Sequence, residues 1–251
     1  MKDDSTVAHD AYRIIGAERS SDFVVTCDHA SNAVPFDVAG GDLGLSLEDM
    51  NRHIAYDVGA AGVATAMADA LDAPAVFSTF SRLVIDPNRG EDDPTLVMQL
   101  YDGTIIPANR DLNDEMVQYR LNRFYRPYHD AYGRLVASRN RPAVVAVHSF
   151  TPRLAGRPAR PWQIGLLSGH DRRLSNALFA VLREDPALVV GDNQPYSGHL
   201  PGDSIDRQAL RPGHLNTLIE VRSDLIESPE DQKTWGIRLA DMLQRAVEMV
   251  T

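Results

Sequence analysis

Short apolar runs rich in β-branched residues alternate along this chain with longer stretches of helical period, which restricts it to an α/β fold with a largely parallel sheet. The runs predict strands at Phe23–Cys27, Ala75–Ser78, Leu83–Ile85, Ala143–His148, Ile164–Leu167, Leu188–Val190 and Thr217–Val221. Helical spacing predicts helices over Leu47–Ala55, Val58–Leu71, Asn113–Ser138, Arg172–Glu184 and Pro229–Val250, long enough to cover both sheet faces. AVVAV at Ala143–Val147 and TLIEV at Thr217–Val221 are the most continuously apolar strands and belong at the sheet centre. With 43% hydrophobic residues and no repeat, linker or composition shift, the 251 residues read as one domain, residues 1–20 being an N-terminal extension.

A net charge of −10 repels phosphate backbones, so neither nucleic acid nor an anionic membrane is an expected partner. One cysteine, Cys27, cannot form an internal disulfide, and the opening MKDDSTVAHD lacks the apolar core of a signal peptide. No stretch reaches the roughly 18 apolar residues of a spanning helix; a cytoplasmic protein is expected. Two segments, Asn88–Asn109 and Thr151–Trp162, are long irregular loops of the kind that form lids or binding loops.

Asp28 and His29 directly follow the run Phe23–Cys27, where an open α/β sheet lines its ligand crevice, although Asp28, Ser31 and Asn32 would also serve as turn residues. His148 ends the most apolar run, and an unpartnered imidazole there would cost about 2–7 kcal/mol, so it needs a ligand or an acceptor. Two strand-end histidines can converge on one metal, and imidazoles with a carboxylate and one open position are the composition of catalytic zinc. Two unrelated buried histidines are the alternative. Asp57, in RHIAYDVGAAG, is the preferred third ligand, though its predicted place at a helix N-cap would account for it alone. Asn32, three residues after His29, is the rival, but an amide is the poorer zinc ligand.

Glu220 interrupts the apolar TLIEV run and points away from Ile219 and Val221. Burial would raise its pKa toward neutrality, as a general base requires, and pairing with Arg222 is the structural alternative. In SRLVIDPNRG, Arg82 and Arg89 bracket an apolar run with Asn88 beside the second arginine, a pattern that suits either a bidentate carboxylate grip or an ordinary turn. Ser149 beside His148, Tyr196 and Ser197 in the polar loop Gly191–His199, and Arg222 complete the candidate substrate-binding residues. His129 lies on a predicted helix with Tyr125, Tyr128 and Tyr132 and reads as a packed residue, while His170, His199 and His214 sit in turn-rich sequence.

Taken together, CDHASN, RHIAYD, SRLVIDPNR, HSFTP, DNQPYSG and IEVRSDL resemble the N-formylglutamate amidohydrolase family, in order and over nearly the whole chain. The resemblance implies a fold like that of zinc carboxypeptidases and aspartoacylase, holding one zinc ion. It matches His29 and His148 to the metal histidines, Asn88 and Arg89 to a carboxylate-binding pair, Arg82 to a carbonyl-polarising arginine and Glu220 to the base. The relatives' His-x-x-Glu reads His29-Ala30-Ser31-Asn32 here, so Asp57 has to supply the acidic ligand. The implied reaction is metal-dependent cleavage of an N-formyl amino acid such as N-formyl-L-glutamate. A related N-acyl amino acid or peptidoglycan-peptide amidase, and a non-catalytic binding protein, are the rival readings, and another divalent metal would suit the same ligands.

Overall fold

The computed structural model describes residues 9–198 and 200–251; the opening residues 1–8 and His199 lie outside them. In chain order the strands are β1 (Tyr12–Ile15), β2 (Phe23–Cys27), β3 (Ala75–Ser78), β4 (Leu100–Tyr101), β5 (Thr104–Ile105), β6 (Ala143–Phe150), β7 (Ile164–Leu167), β8 (Val190–Asp192) and β9 (Leu215–Arg222). The helices are α1 (Leu47–Met50), α2 (Ala60–Ala70), α3 (Asp114–Arg120), α4 (Arg126–Ala137), α5 (Arg173–Leu182) and α6 (Pro229–Glu248). Seven strands form one sheet in the order β1-β3-β2-β6-β9-β7-β8, and β4 and β5 make a separate hairpin. Strands β3, β2, β6 and β9 run parallel, with β1 and the β7–β8 pair running against them. The mixed, mostly parallel α/β sheet expected from the sequence is therefore present, and the two most apolar runs, now β6 and β9, lie side by side at its centre.

Helices cover both faces. Apolar side chains of α2, α5 and α6 pack on one face against Val25, Val145, Val147, Ile219 and Val221, whereas α4 and the loops after β3 cover Val24, Val76, Val144, Ala146 and Leu218 on the other. The predicted helix Asn113–Ser138 is α3 and α4 joined through a π-helical turn at Leu121–Tyr125, just before Pro127, where the missing backbone N–H disfavours a regular ladder. Its buried aromatic stripe holds the loops beneath the crevice: Tyr125 Oη donates to Arg89 O at 2.6 Å, and the His129 ring donates from Nε2 to Pro87 O at 3.0 Å.

Several expected elements change. Leu83–Ile85 is fully buried but is a turn rather than a strand, because side chains replace a neighbouring strand: Asn109 Nδ2 donates to Leu83 O at 2.8 Å and Arg120 Nη1 to Val84 O at 2.8 Å. Of the predicted helix Leu47–Ala55 only Leu47–Met50 is α-helical; Leu47 is 79% exposed, and the buried Ile54 and Ala55 lie in the turns that follow. The strand expected at Leu188–Val190 lies later, at Val190–Asp192. The stretch expected as an N-terminal extension supplies edge strand β1, and the long loop Asn88–Asn109 contains the β4–β5 hairpin.

His129 gives this arrangement a pH signature. Burial pushes its pKa from 6.5 down to about 4, so below pH 6.5 the unfolded chain takes up a proton that the folded one refuses. The stabilisation is present above pH 6.5 and is lost as pH falls toward 4, a loss of about 3 kcal/mol. Urea unfolding of wild-type and His129→Gln protein at pH 7 and pH 4.5 checks this: the variant, which keeps a donor toward Pro87, should lose markedly less stability.

Candidate metal centre and active site

The crevice forms where the parallel strands end. His29 follows β2, His148 lies near the end of β6, and Glu220 is its direct partner on β9 in the parallel register, which puts both side chains on one sheet face. On the other side of β9, Gly165 of β7 faces Glu220, and a Cβ there would come within 2.1 Å of Gln194 O. Only glycine lets that loop close over the strand. Asp57 comes from the turn before α2, but it does not cap the helix. The cap position is Gly59, at φ 79°, where a side chain would collide with Ile226 O at 2.4 Å, so the carboxylate of Asp57 is left for the crevice.

His29 Nδ1 stands 3.3 Å and His148 Nδ1 2.7 Å from Asp57 Oδ2, and one ligand atom from each of the three residues lies within 4.8 Å of the others. Each histidine also has a carboxylate at its far nitrogen: Asp86 Oδ1 accepts from His29 Nε2 at 2.7 Å, and Asp28 Oδ2 lies 3.4 Å from His148 Nε2. Carboxylates behind ligating imidazoles fix their orientation and raise their basicity. Arg82 binds Asp86 Oδ2 through Nη2 at 2.9 Å and approaches Asp57 Oδ1 through Nη1 at 3.3 Å.

All of these groups are buried. Burial alone would raise Asp28, yet the neighbouring His148 and His29 hold it at about 2, and the same histidines hold Asp57 far below the usual carboxylate range. Asp86 is likewise pulled down against its burial, chiefly by Arg82. His148 moves upward despite burial because Asp28 and Asp57 flank it. Three carboxylates against one guanidinium leave two negative charges, which protons or one divalent cation can balance. Two imidazole nitrogens and a carboxylate oxygen, each braced from behind, fit a zinc-type ion.

Beside this cluster, burial pushes Glu220 up to about 7, against the pull of His148 and with a further push from Asp57. Its Oε2 is buried with no hydrogen-bond partner among the described residues. Arg222 is not its partner; that guanidinium turns to Asp224 Oδ1 at 2.7 Å and to the carbonyl of Trp162 at 3.2 Å, and Arg222 does not line the cavity.

The other candidates gather around a cavity of about 290 Å³ that includes Asn88, Arg89, Ser149, Tyr196 and Ser197 in its walls. Arg89 is bound by Thr95 Oγ1 and the Asn88 carbonyl but has no acidic partner among the described residues. Ser149 Oγ donates to Val58 O at 2.7 Å, and Tyr196 lies under the guanidinium of Arg160, 5.0 Å from its ring centroid. Asn32 is turned elsewhere, its Nδ2 donating to Met50 O at 2.9 Å. His129 is packed on α4, His170 is exposed and His214 half-buried; none of the three lines the cavity. Sequence reasoning missed Asp86, His53 and Tyr101. The first was hidden in a turn motif, although an aspartate immediately after the apolar Leu83–Ile85 run was a signal of the same kind as Glu220.

A mostly parallel α/β sheet with a histidine–carboxylate cluster at its strand ends is a scaffold with room for a metal. The sequence model of the N-formylglutamate amidohydrolase family matches residues 21–227, and the chain belongs to that family of hydrolases. A solved gene product of Agrobacterium tumefaciens is 33% identical with a TM-score of 0.90, covering 97% of each chain. An N-formylglutamate amidohydrolase from Ralstonia eutropha JMP134 is 23% identical with a TM-score of 0.68, covering 95% of this chain and 97% of its own, and shares the fold. None of the curated proteins matches the chain.

The cluster predicts one bound divalent metal ion per chain, lost on replacing a ligand. Metal analysis of purified wild-type, His148→Ala and Asp57→Ala protein should give a stoichiometry near one for the first and near zero for the others. Retention of full stoichiometry by both variants would place the metal elsewhere.

Proposed function

We propose that this protein is a zinc-dependent amidohydrolase that cleaves a linear N-acyl amino acid, with N-formyl-L-glutamate and water going to formate and L-glutamate. The observation that carries this reading is the buried Oε2 of Glu220, without a hydrogen-bond partner among the described residues, beside the His29–Asp57–His148 cluster, in a cavity that also holds Arg89, which has no acidic partner among them. Family membership supports the same chemistry. The substrate is a small molecule, the ion is held by His29, His148 and Asp57, and a cytoplasmic location is part of the proposal.

A divalent ion bound there supplies electrophilic activation of water and of the amide carbonyl. Glu220 takes the proton of the attacking water and delivers it to the departing nitrogen, so the C–N bond breaks to give a carboxylic acid and a free amine. Arg82 has N–H groups left beyond its bonds to Asp86 and Asp57, and these meet the oxygen on which negative charge develops. Arg89 and Asn88 hold the α-carboxylate. Arg160 does not line the cavity itself but stacks on two residues that do, Tyr196 and Phe150, without an acidic partner among the described residues, and is proposed to attract the side-chain carboxylate.

The decisive experiment is formate release from a panel of N-formyl amino acids, with activity expected to disappear on chelation and return with zinc. Glu220→Gln should keep its metal while turnover falls about 10²–10⁴-fold; near-normal turnover in a stable, metal-loaded variant removes the base assignment. Steady-state kinetics should separate the arginines: Arg89→Ala chiefly raises KM, whereas Arg82→Ala chiefly lowers kcat, because charge on the carbonyl oxygen develops only in the transition state.

A further inference from the structure

Behind the crevice, the supports of the metal centre and of the carboxylate grip meet at Asn88. Its backbone N–H donates to Asp86 Oδ1 at 2.9 Å, the same oxygen that accepts from His29 Nε2. Its side-chain Oδ1 is contacted by Ser204, from the backbone N–H at 3.4 Å and from Oγ at 3.2 Å. The Ser204 hydroxyl lies closer still to Asp28 Oδ2, at 2.6 Å, and this is the oxygen that faces His148. Ser204 and Asp28 have no exposed surface, and Asn88 has only 9%. One proton shared between Asp28 and Asn88 in a three-centre bond therefore links the two ends of the site.

We infer that Ser204 is a positioning residue that sets two things at once: the carboxylate behind His148, and the rotation of the Asn88 amide in the cavity wall. The inference rests on the proposed function. An asparagine amide turned by half a rotation presents a carbonyl oxygen instead of an N–H₂ group, so an unrestrained Asn88 repels a substrate carboxylate as readily as it binds one. By giving Oδ1 its donors on the hidden side, Ser204 leaves Nδ2 for the substrate. Its bond to Asp28 meanwhile fixes the carboxylate that faces the His148 ring at 3.4 Å. Thr26 makes a useful contrast: its hydroxyl contacts Asp28 Oδ1 at 3.3 Å and Tyr128 Oη at 3.0 Å, and no bond joins it to Asn88.

The test compares zinc-loaded wild-type, Ser204→Ala and Thr26→Val proteins. Zinc affinity is measured by competition with a chromophoric chelator, and KM for N-formyl-L-glutamate and for its α-carboxamide by formate release. Ser204→Ala should weaken zinc about fivefold and raise KM for the acid about fivefold, leaving KM for the carboxamide unchanged. Thr26→Val should weaken zinc without moving either KM. Ser204→Ala values within twofold of wild type, or a lowered melting temperature with zinc affinity and KM intact, overturn the inference. If the wild type releases no formate, the proposed reaction fails. Ser204 is then judged on zinc affinity and on calorimetric binding of L-glutamate: weakening of both sustains the assignment, and anything less removes it.

Discussion

Three almost completely buried carboxylates, Asp28, Asp57 and Asp86, set the terms for the rest of this structure. A charge so buried is tolerated only when paired and hydrogen-bonded, and removing a partner from such a set costs about 3–5 kcal/mol. Arg82, two histidines and the hydroxyls of Ser204 and Tyr128 are drawn to this point for that reason. The cluster is consequently expensive for the fold to keep, which is the usual condition of groups retained for chemistry rather than for stability.

The scaffold answers that cost with rigidity. Strands β6 and β9 are paired along their full lengths and buried between two helical layers, so the backbone that carries His148 and Glu220 has no freedom to spare. The loop after β3 has no strand beside it; the π-helical turn and α4 hold it instead, through Tyr125 at Arg89 and His129 at Pro87. A loop fixed by buried aromatic hydroxyl and imidazole donors positions Asn88 and Arg89 nearly as firmly as a strand would.

His29, His148 and Glu220 were legible because each is a polar side chain at the end or in the middle of an apolar run, where burial without a purpose is costly. Asp57 was ambiguous for a physical reason: a carboxylate before a helix can cap it, and only the positive φ of Gly59 reveals that the cap lies elsewhere. Leu83–Ile85 misled because consecutive apolar residues report burial, not the identity of what satisfies their carbonyls, and here asparagine and arginine side chains take a strand's place. Strand β1 escaped notice because YRII is short and carries an exposed Arg13, which stacks on Phe77. The pairing of Ser204 with Asp28 joins residues 176 positions apart, a relation that no local pattern encodes.

That long separation bears on how the molecule is assembled. The groups of the crevice come from the end of β2, the turn before α2, the loop after β3, β6, β9 and the segment around Ser204, so no short fragment of the chain contains them together. Contacts between such distant positions form late and slowly, after the loops between them have been closed at an entropic cost. Until then the carboxylates stay hydrated and separate, and the cluster of histidines and carboxylates does not exist. A newly made chain therefore holds no preformed His29–Asp57–His148 group, and an ion bound there would act as a latch on a sheet that has already closed.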